Sequence, residues 1–137
     1  MIVDTSVLLA FLDRDEPNHQ RALEAITTYE GQLVVSPPVL AELDYLLLTR
    51  GGIDAELAGM RELASGAWVI AAFGAEDLAE SLNVVGRYPS LGIGATDASL
   101  VVLAARYGTR TIATLDRRHF EVLRALDGKP FHLLPAP

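Results

Sequence analysis

Short β-branched runs alternate with longer helical patterns along nearly the whole chain. Five runs have the length and composition of strands: Met1–Asp4, Leu33–Val35, Ala67–Ala71, Thr111–Leu115 and Phe131–Leu134. Helices are predicted between them, at Thr5–Leu12, from Asp15-Glu16-Pro17 to Gly31, from Ser36-Pro37-Pro38 to Gly51-Gly52, and at Asp54–Ser65, Glu76–Arg87, Thr96–Tyr107 and Arg117–Leu126. Strands that are separated by helices favour an α/β fold with a parallel sheet covered on both faces.

The length and composition limit the class of protein to which this chain can belong. A chain of 137 residues has room for one domain, residues 1–137, with a substantial core. The absence of cysteine excludes disulfides, thiolate metal sites and cysteine nucleophiles, and it fits a reducing cytoplasm. We find no signal peptide and no apolar run near the roughly 18 residues of a membrane span, so we expect a cytoplasmic protein without membrane contact.

Four carboxylates stand beside apolar sequence at the edges of these predicted elements. Asp4 and Asp116 follow strands, Asp97 opens a helix, and Glu42 lies within the apolar segment Val39–Leu43. Functional sites of parallel sheets form at the carboxyl ends of the strands, so we expect Asp4, Asp97 and Asp116 to meet at one edge. Taken singly, Asp4, Asp97 and Asp116 are also ordinary helix-capping or first-turn acids.

Carboxylates that gather at one edge repel one another unless a cation lies among them. Oxygen-only sites select hard ions, so the cofactor that we expect is Mg²⁺ or Mn²⁺. Such ions activate water and neutralise phosphate charge in phosphodiester cleavage. We therefore predict a metal-dependent nuclease in which Asp4, Glu42, Asp97 and Asp116 are both the metal ligands and the catalytic residues.

The helix that carries Glu42 also carries Asp44, and only one of the two is expected at the site. They lie about 200° apart around a helix. Glu42 stands among Val39, Leu40 and Leu43, so we predict that it faces inward, while Asp44 is solvated or paired.

Charge is distributed unevenly along the chain. The net charge is −7, but residues 1–85 carry 4 basic and 14 acidic side chains (−10), whereas residues 86–137 carry 7 basic and 4 acidic side chains (+3). This asymmetry is a weak indication of a polyanion partner, and an unevenly charged solvated surface explains it as well. Arg117, Arg118 and His119 follow the fourth predicted strand, and we expect them at the rim of the site as contacts to the nucleic-acid substrate. In the alternative, Arg117 and Arg118 are solvated or pair with Glu121.

The acidic positions also carry a family resemblance. The chain resembles the PIN-domain ribonucleases, and its length is typical of VapC-type toxins of type II toxin–antitoxin systems. The matching segments, in the same order, are Ile2-Val3-Asp4-Thr5-Ser6-Val7-Leu8, Pro38-Val39-Leu40-Ala41-Glu42-Leu43, Thr96–Ala104 and Ala113–Phe120. No single segment is specific, but the four together indicate the family.

The resemblance implies a three-layer α/β/α sandwich and a metal-dependent endoribonuclease. Its metal-binding acids map onto Asp4, Glu42, Asp97 and Asp116, and its smaller polar positions map onto Thr5, Ser6 and Thr114. It further implies products with a 5′-phosphate and a 3′-hydroxyl, a tRNA or rRNA substrate, a cognate antitoxin and a homodimer. A PIN-like RNA-processing nuclease without an antitoxin and a non-catalytic PIN-like binding module are the alternatives.

Other chemistries fit the residues less well. A histidine-driven ribonuclease would use His19, His119 or His132, although each is more simply a surface or core imidazole. A receiver domain would need a lysine at the site, whereas Lys129 follows the last predicted helix. A haloacid-dehalogenase-like phosphatase would need a second acid where Ser6 stands.

Overall fold

A computed structural model describes all 137 residues and contains five strands and six helices. The strands are β1 (Ile2–Val3), β2 (Val34–Val35), β3 (Val69–Ile70), β4 (Thr111–Ala113) and β5 (His132–Leu134). The helices are α1 (Thr5–Leu12), α2 (His19–Thr28), α3 (Pro37–Leu63), α4 (Ala75–Arg87), α5 (Ala95–Arg106) and α6 (Arg117–Val122). None of the helices combines the length and apolar character that crossing a membrane requires.

All five strands join one parallel sheet in the order β3-β2-β1-β4-β5. The central strand, β1, is fully buried, as expected where helices cover both faces of a parallel sheet. Val3 of β1 is in register with Ala113 of β4, so the residues that follow these two strands emerge side by side. The predicted three-layer α/β/α architecture is confirmed.

The core is one cluster of 29 buried hydrophobic residues between the sheet and the helices. Helix α5 is buried along Ala98–Ala104, and it packs most extensively against α4. Burying a leucine or valine side chain contributes about 1.5–3 kcal/mol, so Leu100 and Leu103 hold α5 firmly in place. The position of Asp97, directly before this buried run, is therefore fixed by the core.

Helix α3 differs from the two helices predicted for this region. It continues to Leu63, but Gly52 has φ 80° and ψ −177°, which breaks the helix into two arms at a kink. Only glycine adopts this backbone conformation without strain. At Gly59 of the second arm an added Cβ would lie 2.5 Å from Leu47 Cδ1, so the two arms pack closely. The predicted break at Gly51-Gly52 is therefore a kink between packed arms rather than a loop.

Helix α2 begins later than the sequence predicts. The Asp13 carboxylate accepts the backbone N–H of Asp15, and the carbonyl of Glu16 accepts the N–H of His19. These bonds form turns that include Pro17, so α2 starts only at His19. The prediction that Asp15-Glu16-Pro17 opens the helix is wrong because local side-chain bonds satisfy the backbone there instead.

Candidate active site

Asp4 occupies the position that follows the central strand. It is the N-cap residue of α1, and only 6% of its surface is exposed. Its Oδ1 accepts the backbone N–H of Thr5 at 2.8 Å, and its Oδ2 accepts the hydroxyls of Thr114 at 2.8 Å and Ser6 at 3.1 Å. Because both oxygens are held by donors, the carboxylate has a fixed orientation.

The Asp4 carboxylate has no basic partner. Burial is the main reason that its pKa rises to about 6, and the negative charge of Asp97 raises it further. The hydrogen bonds from Thr114, Thr5 and Ser6 oppose this rise only in part. A buried carboxylate under these conditions is stabilised in its charged form by any cation that reaches it.

Two of the three small polar residues predicted near the site join the sheet edge to Asp4. The Ser6 hydroxyl also accepts the backbone N–H of Leu115 at 2.9 Å, and the Thr114 hydroxyl accepts that of Asp116 at 3.0 Å. Thr5 contacts Asp4 through its backbone, while its own buried Oγ1 has no hydrogen-bond partner. The hydroxyls of Ser6 and Thr114 therefore couple Asp4 to the segment that leads to Asp116.

Asp97 and Asp116 are brought together by His119. The Nδ1 atom of His119 lies 2.9 Å from Asp97 Oδ2 and 3.6 Å from Asp116 Oδ2. Burial raises the pKa of Asp97, His119 lowers it, and the charge of Asp116 raises it. Asp4, Asp97 and Asp116 thus lie at one edge of the sheet, as the sequence predicts. The imidazole of His119, in contrast, is held between two acids and is not free at the rim.

Glu42 does not face inward. Its side chain is exposed, while Val39, Leu43 and Leu47 form the buried stripe of α3. Glu42 and Asp44 stand about 100° to either side of Leu43, so neither is on that stripe. The prediction of an inward Glu42 is wrong because its apolar neighbours lie all around the helix and do not define its buried face. Its role as a metal ligand stays a prediction.

Asp44 lies beside another acid, Glu56 of the second arm. The Asp44 carboxyl group is the main reason that the pKa of Glu56 is raised. Two interacting carboxyl groups of this kind titrate as a pair. This pair lies on the other side of the buried stripe from Glu42.

The two arginines after Asp116 have different surroundings. Arg117 Nε lies 3.1 Å from Glu121 Oε1, and its guanidinium donates to the carbonyl of Pro135 at 3.1 Å. The side chain of Arg118 is 84% exposed, with Asp116 at 3.6 Å. Arg117 therefore ties α6 to the end of the chain, and Arg118 is the freer of the two to contact a ligand.

A buried, hydrogen-bonded pair of serines was not identified from the sequence. Ser99 Oγ of α5 donates to Ser36 Oγ, the N-cap of α3, at 2.9 Å, and Ser36 in turn accepts the N–H of Val39 at 3.1 Å. This chain of bonds fixes the start of α3 against α5 and so sets where Glu42 stands relative to Asp97. Ser36 showed a capping signal, but nothing in the sequence linked it to Ser99.

The donor set at this edge suits a hard divalent cation. Its acids offer only carboxylate oxygens, and the buried Asp4 carboxylate lacks a positive partner. No group of three or more acidic or histidine side chains is spaced to hold an ion by itself. Because Mg²⁺ commonly keeps several of its waters, fewer direct carboxylate ligands suffice. The residues present therefore fit Mg²⁺ or Mn²⁺.

Comparisons with known proteins agree with this geometry. Residues 1–126 match the model of the PIN domain. The chain is 53% identical over 135 residues to Ribonuclease VapC26 of Mycobacterium tuberculosis, a match that covers 98% of this chain and 100% of that protein.

Two solved structures have similar folds. VapC20 of Mycobacterium tuberculosis, described as a sarcin–ricin loop cleaving toxin, superposes with a TM-score of 0.75 at 21% identity, over 81% of this chain and 85% of that one. VapBC2 of Rickettsia felis, solved with a DNA fragment of its promoter, gives a TM-score of 0.70 at 16% identity, over 96% of both chains. At these identities the two structures establish the similarity of fold.

Proposed function

This chain belongs to the PIN-domain family, and from that premise we propose that it is a Mg²⁺- or Mn²⁺-dependent endoribonuclease and the toxin of a toxin–antitoxin pair. One observation carries the proposal: the Asp4 carboxylate is buried, held by three donors and without a basic partner, at the sheet edge that also holds Asp97 and Asp116. A site of this kind suits a divalent cation and a phosphate that approaches from solvent.

Asp4, Asp97 and Asp116 would hold the cation, and Glu42 would contribute from α3. Glu42, Leu46 and Arg50 lie at four-residue spacing on one face of α3. Leu46 and Arg50 of that face line surface cavities, and one of the cavities that includes Arg50 is also lined by Ser6 and Asp116. The face of α3 that carries Glu42 therefore reaches the site at Arg50, and the proposal extends this contact to Glu42 itself.

The protein's own residues hold the acids ready for the reaction. Ser6 and Thr114 fix both the position and the rotation of Asp4, while His119 holds Asp97 near Asp116. When bound, the cation supplies an activated water and neutralises charge that grows on the phosphate. In the proposed hydrolysis the water oxygen attacks phosphorus, the bond from phosphorus to the 3′-oxygen breaks, and that oxygen takes a proton. The products are a 5′-phosphate and a 3′-hydroxyl.

We infer a tRNA or rRNA substrate and a cognate antitoxin, both of which the protein would meet in the cytoplasm. The VapC20 relative supports a structured RNA target, since it is described as cleaving the sarcin–ricin loop. The VapBC2 relative, a pair bound to promoter DNA, supports an antitoxin partner. Neither relative identifies the RNA that this chain cleaves.

We also infer a homodimer. The apolar side chains Tyr45, Leu48, Ile53 and Leu57 are 66%, 42%, 61% and 41% exposed on the two arms of α3. Large apolar side chains exposed on one helix are a common mark of protein–protein contact. Sedimentation of the purified protein tests the inference, and a monomer at all accessible concentrations would contradict it.

The test of the proposed function is cleavage of purified tRNA and rRNA. We expect cleavage with Mg²⁺ or Mn²⁺ and none after chelation, together with growth arrest when the protein is expressed without a partner. Asp4→Asn should be inactive, whereas Asp44→Asn, on the other side of α3, should cleave like the wild type. A folded wild-type protein that binds RNA without cutting it would indicate a PIN-like binding module. Cleavage without growth arrest would indicate an RNA-processing nuclease.

A further inference from the structure

Two neighbouring cavities lie between the kink of α3 and the acidic edge of the sheet. The first, of about 440 Å³, lies against both arms of α3, and the second, of about 350 Å³, includes Ser6 and Asp116. Leu9, Glu16 and Arg50 line both cavities. Arg50 therefore lies where the two cavities adjoin.

Arg50 stands apart from the other basic side chains. Arg106, Arg110, Arg117 and Arg118 each have a carboxylate partner. Hydrogen bonds engage Arg21 with Asn18 and Ala136, and Arg124 with the carbonyls that end α6. The five without a side-chain hydrogen bond or ion pair are Arg14, Arg50, Arg61, Arg87 and Lys129. Of these five, Arg50 alone lines a cavity that also contains residues of the candidate active site.

The position of Arg50 on α3 relates it to the site. It lies two turns after Glu42 on the same helix face, which corresponds to about 12 Å along the axis. It is exposed, at the end of the first arm and directly before the kink. The Arg50 guanidinium makes no ion pair with the acids, although it shares the second cavity with Asp116, so it is placed for a neighbouring group of a bound chain.

The second cavity, which contains Ser6 and Asp116, offers further donors for a phosphate. Asn18 lines it, and because the Oδ1 of Asn18 is occupied by Arg21 at 2.8 Å, its amide N–H groups remain for another acceptor. Arg50 adds a fork of N–H donors that matches phosphate oxygens. The first cavity holds two further acids, Asp13 and Asp15, besides Glu16, which lines both cavities. Because these charges repel a polyanion, they favour a nucleic-acid strand that passes Arg50 through the second cavity.

We propose that Arg50, with Asn18, binds a backbone phosphate next to the scissile bond and so sets the path of the RNA strand into the site. The proposal rests on the proposed function, because it assigns part of the same RNA-binding surface. It adds a contact from α3 to the contact that we expect from Arg118.

The experiment measures RNA binding in the Asp4→Asn background, in which the RNA stays intact. The probes are a labelled single-stranded RNA and purified tRNA, each titrated across a series of salt concentrations. Adding Arg50→Ala should weaken binding about tenfold, the effect of one charge-assisted hydrogen bond, and should reduce the salt slope for single-stranded RNA by about 0.7. Arg50→Lys should keep the salt slope and lose part of the affinity, since lysine retains the charge without the fork.

Arg61→Ala is the matched control, because Arg61 is exposed and unpaired on the second arm of α3 and lines neither cavity. It should leave affinity and salt slope unchanged. Equal binding by the Arg50→Ala and Arg61→Ala proteins would overturn the proposal, as would an effect of Arg50→Ala confined to binding of a purified antitoxin. If the Asp4→Asn parent binds neither RNA, the proposed function itself fails, so the two failures are distinct.

Discussion

Two acidic regions of this molecule have similar side chains and opposite physical character. At the sheet edge, Asp4 is 6% exposed, and its carboxylate is held by three donors. On α3, the carboxyl groups of Asp44 and Glu56 lie close to each other, and Asp44 raises the pKa of Glu56. The difference makes Asp4 the acid whose charge a cation would offset most, because packing removes water from it and supplies no positive partner.

The two regions also differ in how their carboxylates are oriented. At the edge, the hydroxyls of Ser6 and Thr114 connect Asp4 with the backbone of Leu115 and Asp116, so moving one group disturbs the others. The surface pair has no comparable support from neighbouring elements. The contacts at the edge therefore restrict the motion of its carboxylates. Substitutions there should affect activity and stability much more than substitutions of the surface pair on α3.

The largest expected difference between the two regions is in cleavage. Asp97→Asn should reduce RNA cleavage about a thousandfold or more, because losing a metal ligand removes several kcal/mol of stabilisation from the reaction. Glu56→Gln should leave the rate within about twofold. Single-turnover rates on tRNA measure both.

Glu42→Gln sharpens this comparison, since Glu42 lies off the buried stripe of α3, as Asp44 does, but is a proposed metal ligand. We expect a loss like that of Asp97→Asn. A Glu42→Gln protein with the wild-type rate would remove Glu42 from the site.

The next effect is the pH dependence of stability in the presence of a chelator. The pKa of Asp4 rises from 3.8 to about 6 on folding, so the folded state binds the proton more tightly than the unfolded state does. Stability should therefore fall as pH rises from about 4 to 6, by about 3 kcal/mol for this residue. Urea unfolding across this range measures the change. The Asp4→Asn protein should lack most of it, and an identical profile for both proteins would show that the desolvation of Asp4 is not its cause.

Metal binding should partly reverse that destabilisation. An ion present at a hundred times its dissociation constant stabilises the folded state by about 2.7 kcal/mol. Thermal unfolding should show this gain for the wild type and for Asp44→Asn, and a smaller gain for Asp4→Asn. Equal shifts in all three proteins would mean that the ion binds elsewhere.

The smallest effect concerns the hydroxyls that support Asp4. Thr114→Val keeps the shape of the side chain but removes the bonds to Asp4 and to the N–H of Asp116, so it should cost about 1 kcal/mol of stability. It should also weaken metal affinity about 10- to 100-fold. Thr49→Val is the control, because the Thr49 hydroxyl bonds only to carbonyls of its own exposed helix segment. Similar metal titrations for the two variants would show that the hydroxyl of Thr114 does not orient Asp4.

The sequence predicts the positions of Asp4 and Asp116 at the sheet edge, because each follows a strand and the carboxyl ends of parallel strands share an edge. It fails for the orientation of Glu42, because the helix has apolar residues on all sides and periodicity alone does not select the buried stripe. It also misses the role proposed for Arg50, because no motif in the neighbouring sequence marks this residue. The proposed role depends on cavities that Arg50 forms with α1 and the turn before α2. The positions of His119 and Ser99 depend in the same way on contacts between distant segments.

The sequence by itself determines the alternation of strands and helices, the parallel sheet and the placement of Asp4, Asp97 and Asp116 at its edge, since these follow from local patterns and the handedness of the chain. Only the tertiary structure decides which acids are buried, which donors hold them and which cations are left without a partner. The physical reason is that burial and electrostatic pairing are properties of the packed assembly. Asp4 loses its contact with water only when β1, α1 and β4 pack together, so none of these segments would bury it alone.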